Sequence, residues 1–323
     1  MINKIKCIAI VGFGSIASKH IAIIEKSYPK ISICIVTKRN IKSKHKIYKK
    51  IESLKNVDID AIFITSPTNE HFNILKLFYR KNIHFFVEKP IFEREKNAVF
   101  LLNHFSKRNS PILQVGYVFR HDDLFFKFKS LCNDKVLGKI LRSEIYCGSD
   151  LNSWRPNTKL KHSISLNKNK GGGALLELSH EIDYCLWFFG DLKVKFSKLN
   201  RSGIFDSKVE DTADLFLLSR KNVNISMHLN FWQKIPERYC KIYGTKGVIT
   251  MDIIDRKIVI NSGNIKKSIK FKSKLNAAYK NQIKNFFYSI NQRKKSVSNL
   301  SESLKVLDII EEAKKLNRSK KNV

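Results

Sequence analysis

Over its first 120 or so residues the chain alternates two kinds of segment, and that alternation limits the possible fold more than any other feature. Ile5–Val11, Ile31–Val36, Ile59–Thr65, Ile83–Val87 and Ile112–Val118 are short, β-rich and almost continuously apolar. Runs of that kind suit strands buried on both faces of a parallel sheet. Between them the pattern predicts helices at Ile16–Lys26, Lys44–Leu54, Glu70–Lys81 and Glu93–Lys107. Strand and helix in strict alternation imply right-handed crossovers and a doubly wound sheet.

Beyond Arg120 the pattern changes. A helix at Asp122–Leu131 and a strand at Lys139–Cys147 precede a loop with few apolar residues, then an apolar helix from Ala174 to Phe189. Strands follow without intervening helices at Val194–Leu199, Thr212–Ser219, Val223–Trp232, Arg238–Tyr243, Gly247–Met251 and Lys257–Ile260. This reads as a meander-like antiparallel sheet in an α+β domain. Ile225, Met227, Leu229 and Phe231 alternate with Asn224, Ser226, His228, Asn230 and Trp232, so one face packs on a core and the other stays open. Two helices, Asn276–Ile290 and Ser301–Leu316, end the chain. With 323 residues two domains are expected, 1–120 for a dinucleotide and 121–323 for substrate and oligomerisation, the terminal helices packing back on the first.

The first predicted strand ends in Val11-Gly12-Phe13-Gly14-Ser15-Ile16-Ala17 and a helix begins at once. Gly12 permits the tight turn, Gly14 lets backbone approach a pyrophosphate, and the helix start offers unpaired N–H groups to the anion. Ala17, in place of a third glycine, is small enough for close packing of helix on strand. About 20 residues on, where a carboxylate would hold a ribose 2′-hydroxyl, stand Thr37-Lys38-Arg39. A hydroxyl followed by two cations suits a 2′-phosphate, so NADP is expected over NAD.

Two further clusters look chemical. One strand ends in Glu88-Lys89-Pro90, at the edge of the sheet where such folds bind ligands. Gly171-Gly172-Gly173 opens the apolar helix that carries Glu177, His180 and Asp183 on one side. Ionisable groups on a buried helix must be partnered or functional.

These residues, with His20, Thr65-Ser66-Pro67 and His71, Val115-Gly116-Tyr117 and Arg120, resemble the glucose–fructose oxidoreductase/inositol dehydrogenase (Gfo/Idh/MocA) family along the whole chain. The resemblance implies hydride transfer between a nicotinamide and a hydroxyl-bearing carbon of a sugar or cyclitol. It implies that Lys89 hydrogen-bonds the reacting oxygen and His180 moves its proton. It places Thr65, Ser66, Pro67 and His71 along the cofactor cleft and Glu88 beside the nicotinamide. Many relatives carry Asp four residues before the histidine; here Leu176 stands there and Glu177 lies three before His180. Tyr117, Arg120, Trp154, Arg155 and His180 are expected to meet substrate. Trp154-Arg155-Pro156 resembles a branch linked to bacterial surface sugars, from which Lys159-Leu160-Lys161-His162 departs.

The formal charge of +33 comes from 48 lysines and 13 arginines scattered through the chain, which argues against a nucleic-acid surface. Six cysteines sit far apart without a C-x-x-C pair, so neither zinc nor a disulfide framework is expected. A cytoplasmic, membrane-free homodimer or homotetramer is the expected setting. The alternative is a dinucleotide-binding regulatory protein that keeps this fold without turnover.

Overall fold

The computed structural model describes residues 5–93, 98–132, 134–154, 160 and 163–319. The chain forms two compact units, Met1–Val118 with Leu275–Leu304, and Phe119–Lys274 with Lys305–Val323.

The first unit is a six-stranded, wholly parallel sheet. Its strands are β1 (Cys7–Val11), β2 (Ser32–Val36), β3 (Lys46–Tyr48), β4 (Ala61–Ile64), β5 (His84–Val87) and β6 (Leu113–Val115). Their order, β3-β2-β1-β4-β5-β6, is that of a dinucleotide-binding sheet. Nearly every residue of β1, β2, β4 and β5 is buried, as their apolar composition requires. Helices α1 (Ser15–Ser27), α2 (Thr68–Phe78) and α3 (Val99–Phe105) follow β1, β4 and β5. The start expected for α3 falls partly on residues 94–97, outside the described residues.

The helix expected at Lys44–Leu54 does not form. Lys46–Tyr48 is strand β3, parallel to β2, and Ile51–Asn56 is a 3-10 turn. Only Leu54 of this stretch is buried, too little apolar surface to hold a helix on the sheet, whereas the edge of β2 offers backbone partners.

The second unit begins with α4 (Asp123–Leu131), α5 (Asp134–Leu137), β7 (Ile140–Gly148) and α6 (Leu151–Trp154). The expected single helix is two, α7 (Ala174–Glu177) and α8 (Ser179–Phe189), divided at Leu178, whose φ −96° and ψ 26° lie outside the helical basin. Strands β8 (Leu192–Asn200), β9 (Thr212–Ser219), β10 (Asn224–Asn230), β11 (Glu237–Gly244), β12 (Gly247–Asp252), β13 (Lys257–Ser262) and β14 (Ile265–Lys270) complete the sheet. Its order is β14-β13-β12-β11-β7-β10-β9-β8. The simple meander is thus corrected: β7 inserts between β10 and β11, parallel to the first and antiparallel to the second.

One face of this sheet is core. Ile225, Met227, Leu229, Cys240, Ile242, Ile249 and Met251 are at most 2% exposed. The other carries half-exposed rings, Tyr146 stacked 5.0 Å from His228 and 5.4 Å from Tyr239. Asn230, expected on that open face, is itself buried, donating to Gln233 and His228. Of the last two helices, α9 (Leu275–Gln292) sends Ile283, Phe286, Phe287 and Ile290 into the core of the parallel sheet, and α10 (Leu300–Ser319) ends the described chain. Among the described residues no helix is long and apolar enough to cross a membrane.

Candidate active site

The polar residues of the first unit gather at the carboxyl ends of its strands. Gly12 follows β1 at φ +91°, and a Cβ there would sit 2.6 Å from the Ser66 backbone nitrogen. Only glycine lets the β1 and β4 turns pass this closely. Gly14 serves differently. Its backbone is extended at the start of α1, and a Cβ there would meet nothing within 4 Å. Among the described residues no side chain caps α1, so its first-turn N–H groups remain available to an anion. Ala17 is fully buried, Ser15 exposed, and Phe13 and Ile16 half-buried. An open cradle at an uncapped helix start fits the pyrophosphate of a dinucleotide.

At the end of β2, Thr37 is buried and its hydroxyl accepts the Arg39 N–H at 3.2 Å. Lys38, Arg39 and Asn40 are exposed. The Arg39 guanidinium donates to the Phe13 carbonyl at 2.8 Å, which lays it over the glycine turn. Lys49 donates to the Arg39 carbonyl at 2.9 Å and to Asn40 Oδ1 at 2.8 Å. Nothing in the spacing of the sequence singled out Lys49; it comes near because β3 runs beside β2.

After β4, the Thr65 hydroxyl points back to the carbonyls of Val11 (3.0 Å) and Gly12 (3.1 Å), tying the two turns. Ser66 has a buried hydroxyl with no hydrogen-bond partner among the described residues, and Pro67 precedes α2. His71 is a strut, with Nε2 2.9 Å from the Ser66 carbonyl and Nδ1 3.2 Å from those of Pro90 and Ile91. Burial pushes its imidazole below the ordinary value even though carbonyls face both nitrogens. It is 1% exposed, so it braces the backbone after β4 against that after β5 instead of presenting a face to solvent.

Glu88 and Lys89 follow β5. The buried His20 of α1 places Nε2 2.8 Å from Glu88 Oε1, and Lys89 N–H donates to Oε2 at 3.3 Å. A Cβ at Gly116 would sit 2.8 Å from Oε2, so the carboxylate occupies space that a side chain would fill. Lys89 is half-buried. Tyr117, expected to meet substrate, is fully buried.

In the second unit, Gly173 sits at φ +115° where a Cβ would be 2.5 Å from Glu210 Oε1. That carboxylate accepts the Leu175 N–H at 3.3 Å, and burial raises its pKa. Glu210 is an ionisable group at the start of α7 that no sequence spacing announced. Glu177 ends α7 and His180 belongs to α8, so their three-residue spacing crosses the break at Leu178. Both are half-buried. The His180 ring lies 4.9 Å from that of Phe119, which also carries the Arg238 guanidinium at 4.6 Å. Arg238 in turn holds the fully buried Glu181 at 2.6 Å.

Arg120 and Asp183 form a buried pair, Nε at 3.0 Å from both carboxylate oxygens and Nη2 at 2.9 Å from Oδ1. The guanidinium is 3% exposed, so its place is in the interior, where a charge needs such a partner. Trp154 donates to Ser149 Oγ at 2.6 Å and stands edge-on to Phe231, an anchor for its loop. Arg155 and the Lys159-to-His162 stretch, Leu160 apart, lie outside the described residues. Among the described residues no three His, Cys, Asp or Glu side chains gather as a metal site.

A doubly wound sheet with an uncapped, glycine-led helix after its first strand defines a dinucleotide-binding protein. Residues 6–117 match the family of oxidoreductases with an NAD-binding Rossmann fold, and 129–323 match that family's C-terminal alpha/beta domain. The chain belongs to this Gfo/Idh/MocA oxidoreductase family. It is 24% identical over 204 residues to 2,7-anhydro-N-acetylneuraminate hydratase of Mediterraneibacter gnavus, covering 61% of this chain and 52% of that one. The match thus spans about half the length of that relative. It is 20% identical to inositol 2-dehydrogenase/D-chiro-inositol 3-dehydrogenase of Lactiplantibacillus plantarum, over 90% of this chain and 84% of that one. In fold it is similar to KijD10, a 3-ketoreductase of Actinomadura kijaniata solved with NADP and TDP-benzene (TM-score 0.83, 17% identity, 97% and 98% coverage).

Proposed function

We propose that this protein is an NADP(H)-preferring dehydrogenase or reductase that acts on a hydroxyl or keto carbon of a sugar, cyclitol or nucleotide-sugar in surface-polysaccharide metabolism. The observation that carries the reading is Lys89: a half-buried ammonium on the strand-end edge that also holds the open glycine turn. When bound, the nicotinamide supplies the two-electron acceptor or donor for hydride. Residues 1–120 hold the dinucleotide, with Gly12–Ile16 at the pyrophosphate and Thr65–Pro67 beside it. Residues 121–323 take the substrate and, through the open sheet face, a second copy of the chain.

In the oxidative direction the substrate carbon loses hydride and its hydroxyl loses a proton. Lys89 stabilises the developing alkoxide, and the imidazole of His180, whose ring nitrogens can accept or donate a proton, takes the proton. Glu177 is the carboxylate proposed to orient His180. In reduction His180 returns the proton to the oxygen. The hydratase and the TDP-bound ketoreductase named above support a substrate of the sugar class, and an anionic sugar suits so basic a chain.

The preference for NADP rests on Lys38 and Arg39, with Arg39 pinned over the glycine turn and no carboxylate at the end of β2. Arg39→Asp is expected to weaken NADP+ about 10–100-fold while changing NAD+ far less. Titration of both dinucleotides checks this, and tighter wild-type binding of NAD+ would refute the preference. The activity is tested by a screen of free sugars, cyclitols and nucleotide-sugars, following absorbance of the reduced nicotinamide. Turnover that survives in both Lys89→Ala and His180→Ala rejects the assigned roles.

A further inference from the structure

His20 is an expensive residue for its position. It is fully buried in α1, edge-on to Phe86 (5.0 Å) and tilted against Phe63 (5.8 Å), a nest that a phenylalanine would fill without any polar atom. Among the described residues its buried Nδ1 has no hydrogen-bond partner. Leaving a nitrogen so placed costs free energy, and the compensation lies at the other nitrogen, 2.8 Å from Glu88 Oε1. The carboxylate it reaches is also largely enclosed, its side chain 12% exposed. Three features set where that negative charge sits: the imidazole from α1, the Lys89 N–H, and the missing side chain of Gly116.

The place is specific. Glu88 follows β5, while the pyrophosphate cradle follows β1 and the ribose-reading residues follow β2. In a dinucleotide laid across such a sheet, the half beyond β4 receives the nicotinamide. The ring is a cation when oxidised and neutral when reduced, so a fixed carboxylate on that side favours the oxidised form.

We infer that His20 is a positioning residue which, by holding the buried Glu88 carboxylate at the end of β5, sets the relative affinity of the protein for oxidised and reduced cofactor. The inference rests on the reading of the first unit as a nicotinamide-dinucleotide site and deepens it.

The test is equilibrium titration of the full-length protein with NADP+ and with NADPH, comparing the ratio of the two dissociation constants. Glu88→Gln keeps the shape and removes the charge, and is expected to weaken NADP+ about tenfold more than NADPH. His20→Phe fills the nest but frees the carboxylate, and is expected to shift the ratio the same way by about three- to tenfold. His20→Gln restores a donor and returns the ratio to within about twofold of wild type. In the double variant His20→Phe/Glu88→Gln the shift does not exceed that of Glu88→Gln alone.

Equal weakening of both forms by His20→Phe marks a purely structural histidine and overturns the inference, as does an unchanged ratio in Glu88→Gln. If His20→Phe unfolds, seen in a thermal melt without cofactor, Glu88→Gln and His20→Gln decide by the same criteria. A wild-type protein that binds neither form overturns this inference together with the dinucleotide reading. Shifted ratios in a protein that turns over no sugar leave the inference standing and remove only the proposed activity.

Discussion

The two units hold their polar residues by different means. In the first, Gly12, Thr37, Thr65 and Glu88 stand just past the ends of β1, β2, β4 and β5, strands so apolar that a polar side chain has nowhere else to go. In the second, Glu177, His180 and Asp183 ride on two helical pieces, and their relation depends on Leu178 between them. A motif at a strand end is placed by topology alone. A motif on a helix face holds only while the helix is continuous, and its neighbours decide that.

The comparison can be broken hardest at Asp183. Asp183→Ala leaves the Arg120 guanidinium buried without its carboxylate, and about 3–5 kcal/mol of stability should be lost in urea unfolding. The paired change Arg120→Met/Asp183→Leu should recover most of it. A loss below about 1 kcal/mol would place the pair in water instead.

Next come the groups proposed to carry the chemistry. Lys89→Ala and His180→Ala should each lower kcat about 10²–10³-fold, equivalent to about 3–4 kcal/mol, with dinucleotide Kd nearly unchanged. Steady-state kinetics beside cofactor titration separates the two effects. A parallel collapse of Kd would assign Lys89 to cofactor binding alone.

Gly12→Ala meets both a left-handed φ and the Ser66 backbone, and should cost about 2–3 kcal/mol in thermal or denaturant unfolding.

His121 sharpens the contrast through pH. Burial, then the neighbouring Arg120 charge, pushes its imidazole down to about 3. The unfolded ring takes up its proton near pH 6.5 and the folded one does not, so stability is lost as pH falls from about 6.5 toward 3. By about pH 4 the contribution should reach about 1–3 kcal/mol, and His121→Gln should flatten this part of the profile. Equal pH slopes in the two proteins would show that the folded ring titrates normally.

The smallest effect belongs to Gly14→Ala. With nothing within 4 Å of the added methyl, stability should stay within about 0.5 kcal/mol. The substitution should act on dinucleotide affinity alone, so an unchanged Kd would remove Gly14 from the site.

The same division runs through what could be read in advance. Val11, Val36, Ile64 and Val87 end β1, β2, β4 and β5 close to where the apolar runs stop, because burial on both faces writes itself into composition. Strand β3 escaped notice since Lys46–Tyr48 has no such composition and forms only because β2 has a free edge. Strand β14, with four of its six residues Lys or Ser, carried too weak an alternation to be seen. Arg120, expected to meet substrate, is interior because Asp183 lies 63 positions away in sequence and beside it in space. The His20–Glu88 bond spans 68 positions, and neither residue implies the other.

Outside β3, the order of strand and helix, the glycine turn and the polar strand ends of the first unit are local patterns, repeated every few residues, and the sequence by itself determined them. The insertion of β7, the break at Leu178, the enclosure of Arg120 and His71 and the pairing of His20 with Glu88 were decided by the tertiary structure. Each depends on atoms that meet only after distant segments pack, where the cost of burying a polar group selects its partner.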